Sequence, residues 1–421
     1  MSGTIGSNIL SHSGTVAETA AGLNWVSTVV TASTVTVEAG NGYWINTTSN
    51  ACTITLPASA EAGDNIVIVD FARTWGTNSV TLDSNGLNFQ GDPDTDTVEY
   101  TTSGQSVNLI YSDATKGWLP LEDDVVADEP VQPVTQKAIF AYGDDNSANI
   151  SIKNLVNSSG VVAADVTGVG TARQSLAASS YGGDKVIFGF GDNSGGVSMT
   201  NLANNLGVIA ADVTGVGTAR RLLAAGSYGL DKGIFAYGKT GSLVSMSNLV
   251  NNVGTVASDV TGVGTARQNL AAATYGLDKV VFGYGYTSAN VSLKNLCSNT
   301  GVIAADVSGV GTARRTLAAT GYGTDTAIFA YGYGSGYLAT SNLVNNVGVI
   351  GADVSGVGTA RFGLAAARYG GDKALFAYGY SSSAVESVKN LVNSSGVIAA
   401  DVTGVGTDSQ ARAASGYSFS A

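Results

Sequence analysis

A short apolar motif returns six times along the chain, as KAIFAYG at 137, KVIFGFG at 185, KGIFAYG at 232, KVVFGYG at 279, TAIFAYG at 326 and KALFAYG at 373. Subtracting successive starts gives intervals of 48, 47, 47, 47 and 47 residues. A period this regular restricts the chain to an array of like units, because one unit of this size cannot bury its apolar face alone.

Within the copy that starts at 222, four segments have strand length and apolar or alternating character: 222–228 (LLAAGSY), 232–237 (KGIFAY), 244–251 (VSMSNLVN) and 256–260 (VASDV). The separators Gly229-Leu230-Asp231, Gly238-Lys239-Thr240-Gly241, Asn252-Val253-Gly254 and Thr261-Gly262-Val263-Gly264 carry turn chemistry. Four antiparallel strands in about 47 residues predict the blade of a six-bladed β-propeller over 137–421, whereas ankyrin and leucine-rich repeats are shorter. The Ala-Ala pairs at 177, 224, 271, 318 and 365 suit a strand crowded against a central axis. The first copy begins at Lys137 without such a strand, and 411–417 (ARAASGY) supplies one from the other chain end, which predicts a seam with 137–142.

The order GTAR, inner strand, IFAYG resembles a divergent kelch repeat, in which an Arg precedes and a Gly pair follows corresponding strands. The likeness covers all six copies but departs in its single glycine (Gly143, Gly191, Gly238, Gly285, Gly332, Gly379) and in lacking an outer-strand tryptophan. It implies kelch-like architecture and no kelch-specific partner.

Charge and rare residues exclude several function classes. The formal net charge of −12 opposes a nucleic-acid partner, since phosphate binding needs clustered Lys and Arg. Cys52 and Cys297 lie in unrelated contexts and His12 is the single histidine, so neither a disulfide framework, a zinc site nor a His-based triad can be assembled, and no metal or cofactor is expected. The start MSGTIGSNILSHSG lacks a secretory pattern and no run of about 18 apolar residues occurs, so membrane insertion is not expected.

Upstream of the repeats, 1–40 reads as an N-terminal attachment arm and 41–121 as a small all-β domain of β-sandwich or barrel-like form. An acidic linker at 122–136 (EDDVVADEPVQPVTQ) contains Pro130 and Pro133. The run YWINTTSNACTITLPASAEAGDNIVIVDFARTWGTNSVTLDSNGLNFQG, with VNLIYSDATKGWLPL after it, resembles a module of bacteriophage tail-fibre and virion appendage proteins; TLPASAEAGD is its most telling part. That resemblance implies a virion location, attachment to other virion proteins through the N-terminal region, and a homo-oligomer, a trimer by preference.

Three sets of residues are candidates for a site. Asp165, Asp212, Asp259, Asp306, Asp353 and Asp401 recur in the outer strand, and Arg173, Arg220, Arg267, Arg314 and Arg361 follow eight residues after the first five, with Ser409 at the sixth position. An Arg ring at a pore mouth would suit sulfate, phosphate or a sugar carboxylate, but an inter-blade hydrogen-bond network is the stronger expectation. Asp184, Asp231, Asp278, Asp325 and Asp372 follow the inner strand and read as turn formers rather than calcium ligands. The loop after the second strand varies most between copies, and it brings Asp144, Asp145, Asp192, Lys239, Tyr286, Tyr333, Tyr337 and Tyr380 into candidacy for ligand binding, with the tyrosines suited to stacking on sugar rings.

A non-enzymatic phage appendage that presents its repeats for adhesion to a host surface or glycan is the leading expectation. The alternatives are a glycan-degrading propeller, for which Asp144-Asp145 is the one adjacent carboxylate pair in the repeats, and a protein-interaction propeller.

Overall fold

In the computed structural model, residues 23–92, 98–121 and 134–421 are described, with the backbone of 9–12 and 15–18. The described chain is all-β. It divides into two compact units, Met1–Gln132 and Pro133–Ala421. Residues 122–133 of the expected linker lie outside the described residues, as do the side chains of the expected arm up to residue 22, His12 among them.

In the first unit, β1 (Ile9–His12) and β2 (Thr15–Glu18) form a hairpin. Beyond it the chain alternates between two sheets through β3 (Asn24–Trp25), β4 (Thr34–Thr36), β5 (Asn41–Ile45), β6 (Cys52–Thr55), β7 (Asn65–Asp70) and β8 (Val80–Asp83), and ends in β9 (Val98–Tyr100), β10 (Ser106–Tyr111) and β11 (Trp118–Pro120). One sheet has the order β11-β10-β7-β5-β3 and the other β4-β6-β8-β9. Both contribute to one core that includes Tyr43, Ile54, Ile68, Leu82, Leu109 and the fully buried Trp75 and Trp118.

The all-β expectation holds for this unit, and its strand directions are mixed. Two sheets do share a core, but β3, β5 and β7 are mutually parallel, as are β4, β6 and β8, and neither sheet closes on itself among the described residues. The cause is the alternation. A strand that leaves one sheet returns to it only after crossing the other, so it lands beside its predecessor in the same direction. The crossover that parallel strands require is here a strand of the facing sheet instead of a helix.

The second unit contains six three-stranded antiparallel sheets. In the third copy the strands are Ala224–Tyr228, Lys232–Ala236 and Ser247–Val250. The middle strand is buried on both faces, which is why KGIFAY is a continuous apolar run, and the Ala224 strand alternates between buried and half-buried. The Ala-Ala strands lie side by side in chain order from Ala177–Tyr181 to Ala413–Tyr417, and the last lies beside the first. Ala413–Tyr417 pairs antiparallel with Lys137–Ala141, so the first sheet draws its strands from both ends of the repeat region.

Strands are shorter than the expected 222–228 and 232–237 because the backbone turns over at their ends. Leu222 has φ 57° and Tyr237 φ 63°. An aromatic residue at positive φ recurs at Tyr142, Phe190, Tyr237, Tyr284, Tyr331 and Tyr378, each followed by a glycine with φ between 105° and 115°. A bulky side chain in this region is strained and persists only where packing over-determines it. Here the packing is an aromatic contact with the next sheet, Tyr142 with Phe188, Phe190 with Phe235, Tyr237 with Phe282, Tyr284 with Phe329 and Tyr331 with Phe376; Tyr378 with Phe140 returns to the first, at centroid distances of 5.2–5.5 Å. The following glycine is required sterically as well, since a Cβ on Gly143 would meet the Gln410 carbonyl oxygen at 2.7 Å.

The expected fourth strand is a looser element than a strand. In the third copy Val256 bridges Val250 and Val260 bridges Ser247, so five residues on one side face four on the other. The extra residue acts as a bulge that breaks the ladder. The same two-bridge pattern recurs in every copy, as Val162 and Val166 show in the first.

A ring of main-chain hydrogen bonds links the six copies. Leu222 donates its N–H to the Ser175 carbonyl, Asn269 to Leu222, Thr316 to Asn269, Gly363 to Thr316, Ala411 to Gly363, and Ser175 back to Ala411, at 2.7–3.1 Å. All six residues have φ between 50° and 65°.

Candidate functional site

Each recurrent Asp clasps the loop of the preceding copy. Asp212 accepts from the Thr171 hydroxyl and amide, and Asp259, Asp306, Asp353 and Asp401 accept likewise from Thr218, Thr265, Thr312 and Thr359. Asp165 accepts from Thr407 and completes the circuit. An Asn on the third strand of the same copy, Asn201 for Asp212, supplies a further donor at 2.9 Å. These aspartates sit in the irregular fourth segment, where the bulge frees their carboxylates to reach across.

Burial alone would raise the pKa of each clasp carboxylate, but Thr and Asn donors, with the nearby guanidinium, outweigh it and hold all six below the ordinary 3.8. A carboxylate with a depressed folded pKa adds stability above its unfolded pKa and loses that contribution as pH falls through the folded value. The expected result is a melting temperature of the second unit that holds from neutral pH to about 5 and falls below about 4. Scanning calorimetry across pH checks it, with Asp259→Asn flattening the acid limb; a melting temperature that rises on acidification contradicts it.

The five recurrent arginines are fully buried, so the pore-mouth anion ring is corrected. The Arg267 guanidinium lies 4.2 Å from the Tyr237 ring centroid of one copy, and its Nε donates to the Tyr284 carbonyl of the next at 3.0 Å. Arg173, Arg220, Arg314 and Arg361 repeat this arrangement on Tyr142, Phe190, Tyr284 and Tyr331. Their Nε and Nη1 donors point at protein carbonyls and their faces cover rings, which joins neighbouring copies and keeps the guanidinium groups away from solvent. Burial pushes the Tyr142, Tyr237, Tyr284 and Tyr331 phenols up to about 12, so they remain donors to loop carbonyls such as Val169 and Val263.

The sixth guanidinium comes from an unexpected position. Ser409 holds the backbone place of the arginines, its carbonyl accepting from Gly379 as that of Arg173 accepts from Gly143. Arg412, three residues later, lays its guanidinium 4.1 Å from the Tyr378 centroid and donates to the Phe140 and Ile152 carbonyls. In the other copies its place holds Leu176, Leu223, Leu270, Leu317 or Leu364. The second Asp set lies in turns: Asp184, Asp231, Asp278 and Asp372 pair with the lysine that follows, and the carbonyls of Asp231, Asp278, Asp325 and Asp372 accept from a turn glycine of the preceding copy. Among the described residues no group of three or more His, Cys, Asp or Glu is arranged to hold a metal.

The variable loops occupy one end of the repeats, because the residue after the recurrent Gly bridges the residue after the recurrent Arg. The bridges are Asp192 with Gln174, Lys239 with Arg221, Tyr286 with Gln268, Tyr333 with Arg315, Tyr380 with Phe362, and Asp144 with Gln410. Around this circuit the chemistry separates into two arcs. In one, Asp144 accepts from Gln174, Asp192 pairs with Arg221, and Asp145 caps its own loop through the Ser147 and Ala148 amides. These carboxylates are committed to holding loops.

In the other arc aromatic rings gather. Tyr337 stacks on Phe362 at 5.6 Å and 22°, and lies 6.5 Å from Tyr380 at the same angle. Tyr333 meets Tyr337 and Phe362 edge-on at 5.6 and 5.9 Å, and Phe362 lies 5.6 Å from Tyr380. Arg315 sits 4.6 Å from the Tyr286 centroid and 5.4 Å from that of Tyr333. All six are half-buried. Three adjacent copies thus offer a continuous aromatic surface with one cation set in it, whereas Lys239 belongs to the polar arc.

Arg315 and Phe362 were not singled out from sequence, although the signal exists: the residue after the recurrent Arg reads Gln174, Arg221, Gln268, Arg315 and Phe362, as variable as the loops it bridges. Neither a protein-family model nor a curated protein matches the chain.

Proposed function

We propose that the chain is a non-enzymatic bacteriophage virion appendage, in which residues 134–421 form a six-bladed, kelch-like β-propeller that adheres to a host-surface glycan through the aromatic arc. The aromatic surface of Tyr286, Tyr333, Tyr337, Phe362 and Tyr380 carries the adhesion reading: half-buried rings held at fixed angles match the apolar face of a pyranose and lose little conformational freedom on binding. The propeller reading draws support from four relations that run through six copies and return to the first, namely inner-strand contacts, aromatic pairs, Asp clasps and the amide ring. The TLPASAEAGD segment between β6 and β7 favours the virion assignment, with attachment through the first unit and a homo-oligomeric, by preference trimeric, assembly.

Adhesion predicts that fluorescently labelled protein coats host cells and that Phe362→Ala lowers half-maximal binding at least about ten-fold, as loss of a stacking anchor should. Equal binding by the variant, or absence of the chain from purified virions as judged by mass spectrometry, contradicts the proposal.

A further inference from the structure

Two arginines occupy the register position that bridges the variable loops, and their surroundings differ. Arg221 is neutralised by Asp192. Arg315 lies against the rings of Tyr286 and Tyr333, and among the described residues its guanidinium makes neither an ion pair nor a hydrogen bond. A half-buried guanidinium held at its faces by aromatic rings keeps its N–H edge for another acceptor, and the fork geometry of that edge matches a carboxylate or sulfate.

We infer that the aromatic arc is selective for an acidic saccharide, with Arg315 receiving the carboxylate or sulfate of a sugar whose apolar face lies on the Tyr337, Phe362 and Tyr380 cluster. This rests on the adhesion reading and narrows it to a substrate class. Charge complementarity carries the step. The cation stands where rings gather, Asp144, Asp145 and Asp192 stand in the other arc, and Glu386 in the Tyr380 loop is held by the Ser381 hydroxyl. A polyphosphate long enough to cross the whole circuit would meet those acids and a chain of net charge −12, so nucleic acid fits the surface poorly. A short anionic segment confined to the aromatic arc meets Arg315 among the rings, while the carboxylate of that arc, Glu386, is engaged by the Ser381 hydroxyl.

The test uses the full chain and two probes, oligogalacturonate and a neutral maltooligosaccharide of similar length, titrated by calorimetry in about 50 mM salt. The expected result is tighter binding of the uronate, with R315Q weakening it about ten-fold or more and removing its advantage over the neutral probe, as loss of a charge-assisted contact should. F362A weakens both probes, and melting curves confirm that both variants fold. If R315Q leaves uronate affinity intact while F362A still weakens binding, the acidic selectivity is overturned and glycan adhesion stands. If F362A changes neither affinity, or neither probe binds the wild-type chain, both fall.

Discussion

Deleting residues 411–421 is expected to abolish the cooperative transition of the second unit or lower its melting temperature by more than about 15 °C. The segment removes the five-residue pairing of Ala413–Tyr417 with Lys137–Ala141, the buried Tyr417 and Arg412, and the Ala411 member of the amide ring. At ~1.5–3 kcal/mol for a large buried side chain and ~1 kcal/mol for a hydrogen bond, the loss sums to about 5–10 kcal/mol. A domain's whole margin is about 5–15 kcal/mol. The deletion also exposes the edge of the Lys137 strand and the flank of the Ala177 strand that the last copy covers. Moving 411–417 ahead of Lys137 through a Gly-Leu-Asp turn, the connection that residues 229–231 make in the third copy, is expected to restore most of the loss. An unchanged melting curve after deletion would refute the structural importance of this pairing.

The second large effect concerns the displaced arginine. Arg412→Leu is expected to cost about 2–4 kcal/mol, because it uncovers the Tyr378 ring, removes a charged donor to the Phe140 and Ile152 carbonyls and leaves a void beside Ser409. Leucine itself fits, as Leu176, Leu223, Leu270, Leu317 and Leu364 show at the same place. The loss therefore reports on the guanidinium and not on the new side chain. Ser409→Arg in the Arg412→Leu background rebuilds the arrangement of the other five copies and is expected to recover most of the stability. It has room to do better than the natural pair, since Arg412 leaves its Nε and Nη1 without partners. Urea denaturation of the two single variants and the double variant measures the coupling, and strict additivity would refute the shared slot.

Much of this architecture has its trace in the sequence, for identifiable reasons. The middle strands are legible because burial on both faces demands an apolar run, and the partner of Ala413–Tyr417 is legible because the copy at Lys137 starts one strand short. The positive φ of Tyr237 and Leu222 leaves no comparable trace, since neither residue type signals that conformation; tertiary packing imposes it. Arg412 escapes a column-wise reading because a long side chain reaches the slot from three residues away. The parallel pairing in the first unit is equally hidden: alternation along CTIT or NIVIVD gives the face of each residue but not the direction of its neighbour. For the site, the loop tyrosines are visible as variation, whereas their clustering with Phe362 depends on a bridge between loops of adjoining copies.

The position of the Lys137 strand has a mechanical meaning. It is the central strand of its sheet, flanked by Asn149–Val156 on one side and Ala413–Tyr417 on the other. A pull arriving along the chain through residue 134 therefore loads two ladders lengthwise at once, so their hydrogen bonds resist in shear together and cannot be opened one at a time as at a peeling edge. Under the proposed adhesive role, with the first unit attached and the repeats holding a surface, traction would meet the repeats where they are doubly clamped.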